Sequence, residues 1–128
     1  NVMIGKPDRV DYRSIPSVIY TKPEVASVGE SVESAAKQGI KASEHTVTLK
    51  YSGRYIAETE GGDGIVKIVI DAAHPPLLGV HMIGSYASEI IYGAAGYVAE
   101  RKRVEDVRKI VFPHPTVCEV IREGMFMI

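Results

Sequence analysis

Gly64-Ile65-Val66-Lys67-Ile68-Val69-Ile70 is the stretch from which the fold can be read. Branched apolar residues dominate it. In an extended chain Val66, Ile68 and Ile70 point to one face, and Ile65, Lys67 and Val69 to the other. Asp71 to Pro76, with two prolines, marks a turn. Leu77 to Ile83 is apolar again, fits a central strand, and closes at Gly84. Two such runs joined by a short turn predict an antiparallel hairpin.

Upstream, the pattern supplies shorter pieces. Ser17 to Tyr20 and Val25 to Val28 read as strands separated by the turn Thr21-Lys22-Pro23-Glu24. Ser31 is placed to cap a short helix over Glu33 to Gln38, with Gly39 as its stop. Lys41 to Lys50 alternates and is expected to be extended. Tyr51 to Glu60 is ambiguous, with room for a helical turn, and Gly61-Gly62-Asp63-Gly64 is a turn.

Downstream of Gly84 the period changes from two to that of a helix. Ser85 to Lys102 carries Ile90, Ile91, Ala94, Ala95, Val98 and Ala99 at helical spacing. Val104 to Ile110 is expected to be a second helix with an acidic first turn, Glu105 and Asp106. Phe112-Pro113-His114-Pro115 breaks it. Thr116 is expected to cap a last helix, with Glu119 at capping-box spacing and an apolar stripe of Val117, Val120, Ile121 and Met125. The fold class is therefore α+β: an antiparallel sheet with helices packed on one side.

Residues 1–128 make one domain, a length that buries about two-thirds of its unfolded surface. Hydrophobic residues are 45% and charged residues 24%, the balance of a globular chain. A net charge of -1 gives no basic footprint for nucleic acid or anionic membrane. No apolar run approaches the roughly 20 residues that span a bilayer, and Asn1 to Arg9 does not resemble a signal peptide. The chain opens on Asn1, as a fragment, a processed chain or a trimmed one would. Cys118 is the single cysteine, so an internal disulfide and a multi-cysteine metal site are both excluded. A cytosolic or organelle-matrix compartment fits.

The chemistry concentrates in His114-Pro115-Thr116-Val117-Cys118-Glu119. Histidine is the side chain suited to moving protons near neutral pH, and a carboxylate can orient it. Glu119, about one turn into the last helix, can fold back to His114, and two prolines stiffen the backbone there. Spacing alone favours the plainer alternative, in which Glu119 only caps the helix and His114 is a turn residue. Cys118 could act as a nucleophile if paired with His114, but reads more simply as a small helix residue. His45, His74 and His81 lack metal-ligand spacing, so no metal site is expected. The Gly61-Gly62-Asp63-Gly64 run is no phosphate loop, and no dinucleotide fingerprint occurs.

Three ordered blocks carry a family resemblance. Pro16-Ser17-Val18-Ile19-Tyr20-Thr21-Lys22-Pro23-Glu24-Val25-Ala26-Ser27-Val28-Gly29 resembles the opening of the dimerisation (interface) domain of pyridine nucleotide-disulfide oxidoreductases. Gly64-Ile65-Val66-Lys67-Ile68, Leu78-Gly79-Val80-His81-Met82-Ile83-Gly84 and Ala87-Ser88-Glu89-Ile90-Ile91 resemble its middle. His114-Pro115-Thr116-Val117-Cys118-Glu119 is similar to the family's catalytic tail. Within the family, Tyr20-Thr21-x-Pro23-Glu24 and Phe112-Pro113-His114 are most like the dihydrolipoamide dehydrogenase branch, although Cys118 stands where a serine is commoner.

The resemblance implies a function that this chain performs only as part of a longer enzyme. In that parent, dihydrolipoamide would be oxidised at a redox disulfide beside FAD, and the electrons would pass to NAD. His114 would be the catalytic acid-base residue and Glu119 its orienting partner. His114 and Pro115, across a cis bond, would approach the flavin of the other subunit, and Val18 the edge between flavin and nicotinamide. The implied partners are a second copy, forming a homodimer, and the lipoyl domain of a 2-oxo acid dehydrogenase or related complex. The implied compartment is the cytoplasm, or the mitochondrial matrix in a eukaryote. The redox cysteine pair and both nucleotide folds are missing, so the chain alone is expected to bind neither cofactor and to be inactive. A small-residue face around Ala94, Ala95 and Ala99, with the last helix, is the expected pairing surface. The alternatives are a stand-alone, non-catalytic interaction module, or the same domain from another disulfide reductase.

Overall fold

The hairpin expected from Ile65 to Ile83 lies in the middle of a sheet. In the computed structural model, which describes residues 2–73 and 76–128 (Val2 without its side chain), five strands pair antiparallel in the order β1-β2-β5-β4-β3. They are β1 Ser17–Ile19, β2 Val25–Gly29, β3 Ala42–Thr48, β4 Ile65–Asp71 and β5 Leu77–Ile83. The chain also forms α1 Val32–Lys37, α2 Gly53–Glu58, α3 Ala87–Ala99, α4 Val104–Arg108 and α5 Glu119–Phe126. Asn1, His74 and Pro75 lie outside the described residues, and with them the middle of the expected two-proline turn. No helix among the described residues is long and apolar enough to cross a membrane.

Alternation decides which face is buried. β4 pairs with β3 from Ala42↔Asp71 to Thr48↔Ile65, so Val66 faces Val47 across the ladder. On the other side Val66 pairs with Met82 and Ile68 with Val80, which in turn meet Ala26 and Val28. These side chains are buried and form the sheet's half of one core. Burying each such aliphatic side chain is worth about 1.5–3 kcal/mol. The opposite face is mixed: Val69 is buried there, while Ser17 and Ser27 share a hydrogen bond of 3.0 Å and Lys67 pairs with Glu44 at 2.7 Å. The short α1 lies beside this second face against β3, with Ala35 buried. Ser31 caps it as expected, with Ser34 closing the capping box.

α3 supplies the other half of the core over β2 and β5 through Ala87, Ile90, Ile91, Ala94 and Val98. Glu24 reaches across from the β1–β2 turn to accept the Ser88 amide at 2.9 Å. The expected pairing face needs correction here. At 100° per residue Ala94 shares a stripe with Ile90, Ile91 and Val98, so it is buried against the sheet, and Ala95 is half-buried. The outward face of α3 carries Glu89, Tyr92, Gly93, Gly96 and Ala99.

α5 packs over β3 and β4. Gly124 permits the approach, since a Cβ there would stand 2.5 Å from Ile68 Cδ1. Arg108 holds α4 to α5 by donating from Nε to the Met125 carbonyl at 2.7 Å. Both α4 and the extended part of Lys41 to Lys50 are shorter than expected, the latter because Leu49–Tyr51 winds into one 3₁₀ turn before α2.

Candidate functional site

Between α4 and α5 the backbone cannot stay helical. Pro113 and Pro115 lack the amide a helix needs, and the His114-Pro115 bond is cis, as is Lys22-Pro23. His114 and Pro115 are exposed at the head of this turn. Glu119 is the first residue of α5, where the helix dipole favours a negative charge.

The carboxylate bends back over the turn. Glu119 Oε2 accepts the Thr116 amide at 2.8 Å, and Oε1 accepts from His114 Nδ1 at 2.9 Å. The imidazole side chain is 81% exposed, its glutamate only 15%. Because a carboxylate only accepts, the proton belongs on Nδ1. The neutral ring then presents its Nε2 lone pair outward. The Thr116 amide, ahead of the hydrogen bond from His114, holds the Glu119 carboxyl below the usual glutamate range.

Thr116 behaves differently from the sequence expectation. Its hydroxyl donates to the Pro113 carbonyl at 2.6 Å instead of capping the last helix, and Cys118 takes the cap position. The glutamate half of the capping box forms; the threonine half does not. With the threonine proton committed, the Cys118 thiol donates to Thr116 Oγ1 at 3.0 Å. The ring of His114 is turned to Glu119, and Cys118 is a neighbour of threonine.

The expected site residues thus fall into two groups. His114, Pro115 and Glu119 are together on one turn. Val18 is half-buried in β1, at the sheet edge opposite the strands that α5 covers. His81 donates from Nε2 to the Glu30 carbonyl at 3.0 Å, and His45 lies 3.4 Å from Ser43 Oγ. Neither approaches the turn. Sequence reasoning missed Ser52, which is buried and donates to the Thr116 carbonyl at 2.9 Å. The only local signal was a serine at capping distance before Tyr55, which says nothing about residue 116.

An apolar groove of about 520 Å³ adjoins the turn, with Ile90, Gly93, Phe112 and Ile121 among its lining. Its rim is polar: Arg54 and the Tyr86 hydroxyl both bond to Glu58. The Tyr86 bond above all holds Glu58 below its ordinary titration range.

Comparison with known proteins gives one consistent set. The family described as the pyridine nucleotide-disulphide oxidoreductase dimerisation domain matches residues 15–125. A mitochondrial dihydrolipoyl dehydrogenase of Schizosaccharomyces pombe is 41% identical over 117 residues, covering 91% of this chain and 22% of the relative. The dihydrolipoyl dehydrogenase of Trypanosoma brucei brucei is 39% identical over 125 residues, covering 96% of this chain and 26% of the relative. Among solved structures, LpdA from Mycobacterium tuberculosis superposes with a TM-score of 0.85 at 22% identity, covering 98% of this chain and 28% of that one. The HOCl-induced flavoprotein disulfide reductase RclA from Escherichia coli gives 0.86 at 18% identity, covering 99% and 29%. These two likenesses concern the fold. The chain spans about a quarter of the length of the curated relatives it matches.

Proposed function

Because the chain belongs to the dimerisation-domain family of pyridine nucleotide-disulphide oxidoreductases, we propose that it is the part of a dihydrolipoamide dehydrogenase that joins two subunits and lends His114 to its partner's redox centre. One observation carries this reading: an imidazole 81% exposed, with Nδ1 fixed on a carboxylate that is itself 15% exposed. A histidine serving only its own fold gains little from such a partner. One serving chemistry across an interface needs both the outward ring and the fixed tautomer.

The proton work follows from the geometry. A thiol must become a thiolate before it can attack a disulfide. Nε2 of His114 accepts the proton of a dihydrolipoamide sulfur, and the thiolate attacks the partner subunit's disulfide. One disulfide bond breaks, a mixed disulfide forms, and one enzyme thiolate leaves. His114 passes its proton to that thiolate and takes the second substrate proton; the second sulfur then attacks the mixed disulfide, closing the lipoamide disulfide and leaving the reduced enzyme as a thiol, a thiolate and the imidazolium. Glu119 steadies the imidazolium while it holds the proton.

No glycine-rich nucleotide fold occurs among the described residues, so what fits a flavin here is an edge: the exposed His114-Pro115 segment beside the outward ring. When bound in the parent, FAD supplies acceptance of the dithiol's electron pair for onward transfer to NAD. The lipoyl domain of a 2-oxo acid dehydrogenase complex is the substrate carrier under this reading, with the mitochondrial matrix, or the bacterial cytoplasm, as compartment. The test is His114→Ala in the full-length parent. Loss of an acid-base group lowers turnover by about 10²–10⁴-fold; unchanged oxidation of dihydrolipoamide rejects the role.

A further inference from the structure

Ser52 is the one fully buried polar side chain among the described residues, at 2% exposure. Its hydroxyl does two separable things. Oγ accepts the Tyr55 amide at 3.1 Å, which caps α2, and its proton goes to the Thr116 carbonyl at 2.9 Å. The cap uses only a lone pair and is met by several residue types. The second bond needs a donor and reaches a turn far away in sequence.

Thr116 is where the turn is fastened. Its amide donates to Glu119 Oε2 at 2.8 Å and its hydroxyl to the Pro113 carbonyl at 2.6 Å. Its carbonyl is the remaining polar group, and Ser52 holds it. Every polar group of Thr116 is therefore committed, and two of the three bonds close directly around His114. Freeing the carbonyl lets the 116–117 peptide plane rotate. The Thr116 amide lies in the adjoining 115–116 plane, hinged to it at the Thr116 Cα, so the residue that fixes the carboxylate, and with it the ring, loses one of its anchors.

We propose that Ser52 is a positioning residue for the His114–Glu119 pair, acting through the Thr116 carbonyl from the N-cap of α2. The proposal rests on the acid-base reading of that pair for its functional meaning, but its structural content can be measured without turnover.

The chain itself serves for the first experiment. Ser52→Gly removes the donor while glycine remains tolerable at an N-cap, and Ser52→Asn restores a donor together with the capping acceptor. In Ser52→Gly the Thr116 amide should exchange about fivefold faster, the effect of one lost net hydrogen bond. The Glu119 carboxyl, followed by carbon NMR, should titrate at higher pH than in the unaltered chain. The charges facing Glu119, His114 from the turn and Arg122 from α5, are the same in all variants. Ser52→Asn should return both readouts towards those of the unaltered chain. A folded Ser52→Gly chain with unaltered Thr116 exchange and Glu119 titration overturns the proposal, as does failure of Ser52→Asn to restore them. If Ser52→Gly does not fold, the nearly isosteric Ser52→Cys, a weaker donor, replaces it; equal Thr116 exchange there also overturns the proposal.

The parent enzyme separates this proposal from the one beneath it. Ser52→Gly should lower kcat with little effect on KM, and should add nothing in a His114→Ala background. An added loss in that background means Ser52 acts elsewhere and rejects the positioning role. Unchanged turnover on His114→Ala rejects the acid-base reading, whatever the NMR gives.

Discussion

Glu119 carries two duties on one carboxylate, and they have different consequences. Towards Thr116 it is a helix-terminal anion, and towards His114 it is an orienting acceptor. The first duty, aided by the second, lowers its titration below the ordinary glutamate value of 4.5. Between the folded and unfolded midpoints the unfolded chain therefore binds more protons. The stability drawn from this group is complete above about pH 4.5 and drains as pH falls through the lower folded midpoint. Glutamine in its place keeps one acceptor and loses the charge. We therefore expect Glu119→Gln to be less stable than the unaltered chain at pH 7, and the gap to shrink as pH drops well below 4.5. Urea midpoints at the two pH values measure it; a gap independent of pH contradicts the assignment. In the parent, the same substitution should reduce turnover less than His114→Ala, because the amide oxygen can still accept from Nδ1.

Among the elements, the join between β2, β5 and α1 is the least forgiving. Gly79 packs face to face with the backbone of Glu30, where a Cβ would stand 2.2 Å from the Glu30 carbonyl oxygen. Its neighbour Gly29 has φ of 78° and meets Leu78 as closely, so neither side can yield. Gly79→Ala should cost about 3 kcal/mol, the upper part of the overpacking range, and depress Tm by about 10 °C. A calorimetric Tm within a degree of the unaltered chain would mean that the strands part more readily than this contact implies. Elements of this kind were partly legible in the sequence. Alternation in Ile65 to Ile70 exposed β4, and Ser31 with Gly39 framed α1, because periodicity and caps are local signals. Glu119 within reach of His114 was legible, since both lie within one turn, but spacing alone favoured the plainer cap and did not select the bond between them. The bond from Ser52 to Thr116 was not legible, because it depends on how α2 meets α5 in space. Nor was the loss of Thr116 as a cap, which follows from Pro113 presenting a nearer acceptor.

At the scale of the whole molecule, Gly93 is a glycine whose place in the helix nothing around it requires. It lies inside α3, faces outward, and a Cβ there would meet nothing within 4 Å. Glycine inside a helix costs about 0.8–1.0 kcal/mol relative to alanine, and no contact among the described residues recovers that cost. Close approach by another helix does. In a twofold pair the same strip meets itself, and Gly93 and Gly96 beside the exposed Tyr92 would let two copies of α3 cross near the groove that adjoins the His114 turn. Gly93→Leu should then leave each subunit as stable as before, or slightly more so through helix propensity. It should also shift the full-length parent from dimer towards monomer in sedimentation equilibrium. Turnover should fall in proportion to the dimer lost, because each proposed redox centre takes its histidine from the opposite subunit. A Gly93→Leu parent that remains dimeric at the same concentrations places the twofold contact on another surface, while one that becomes monomeric yet retains full turnover removes the need for a shared site.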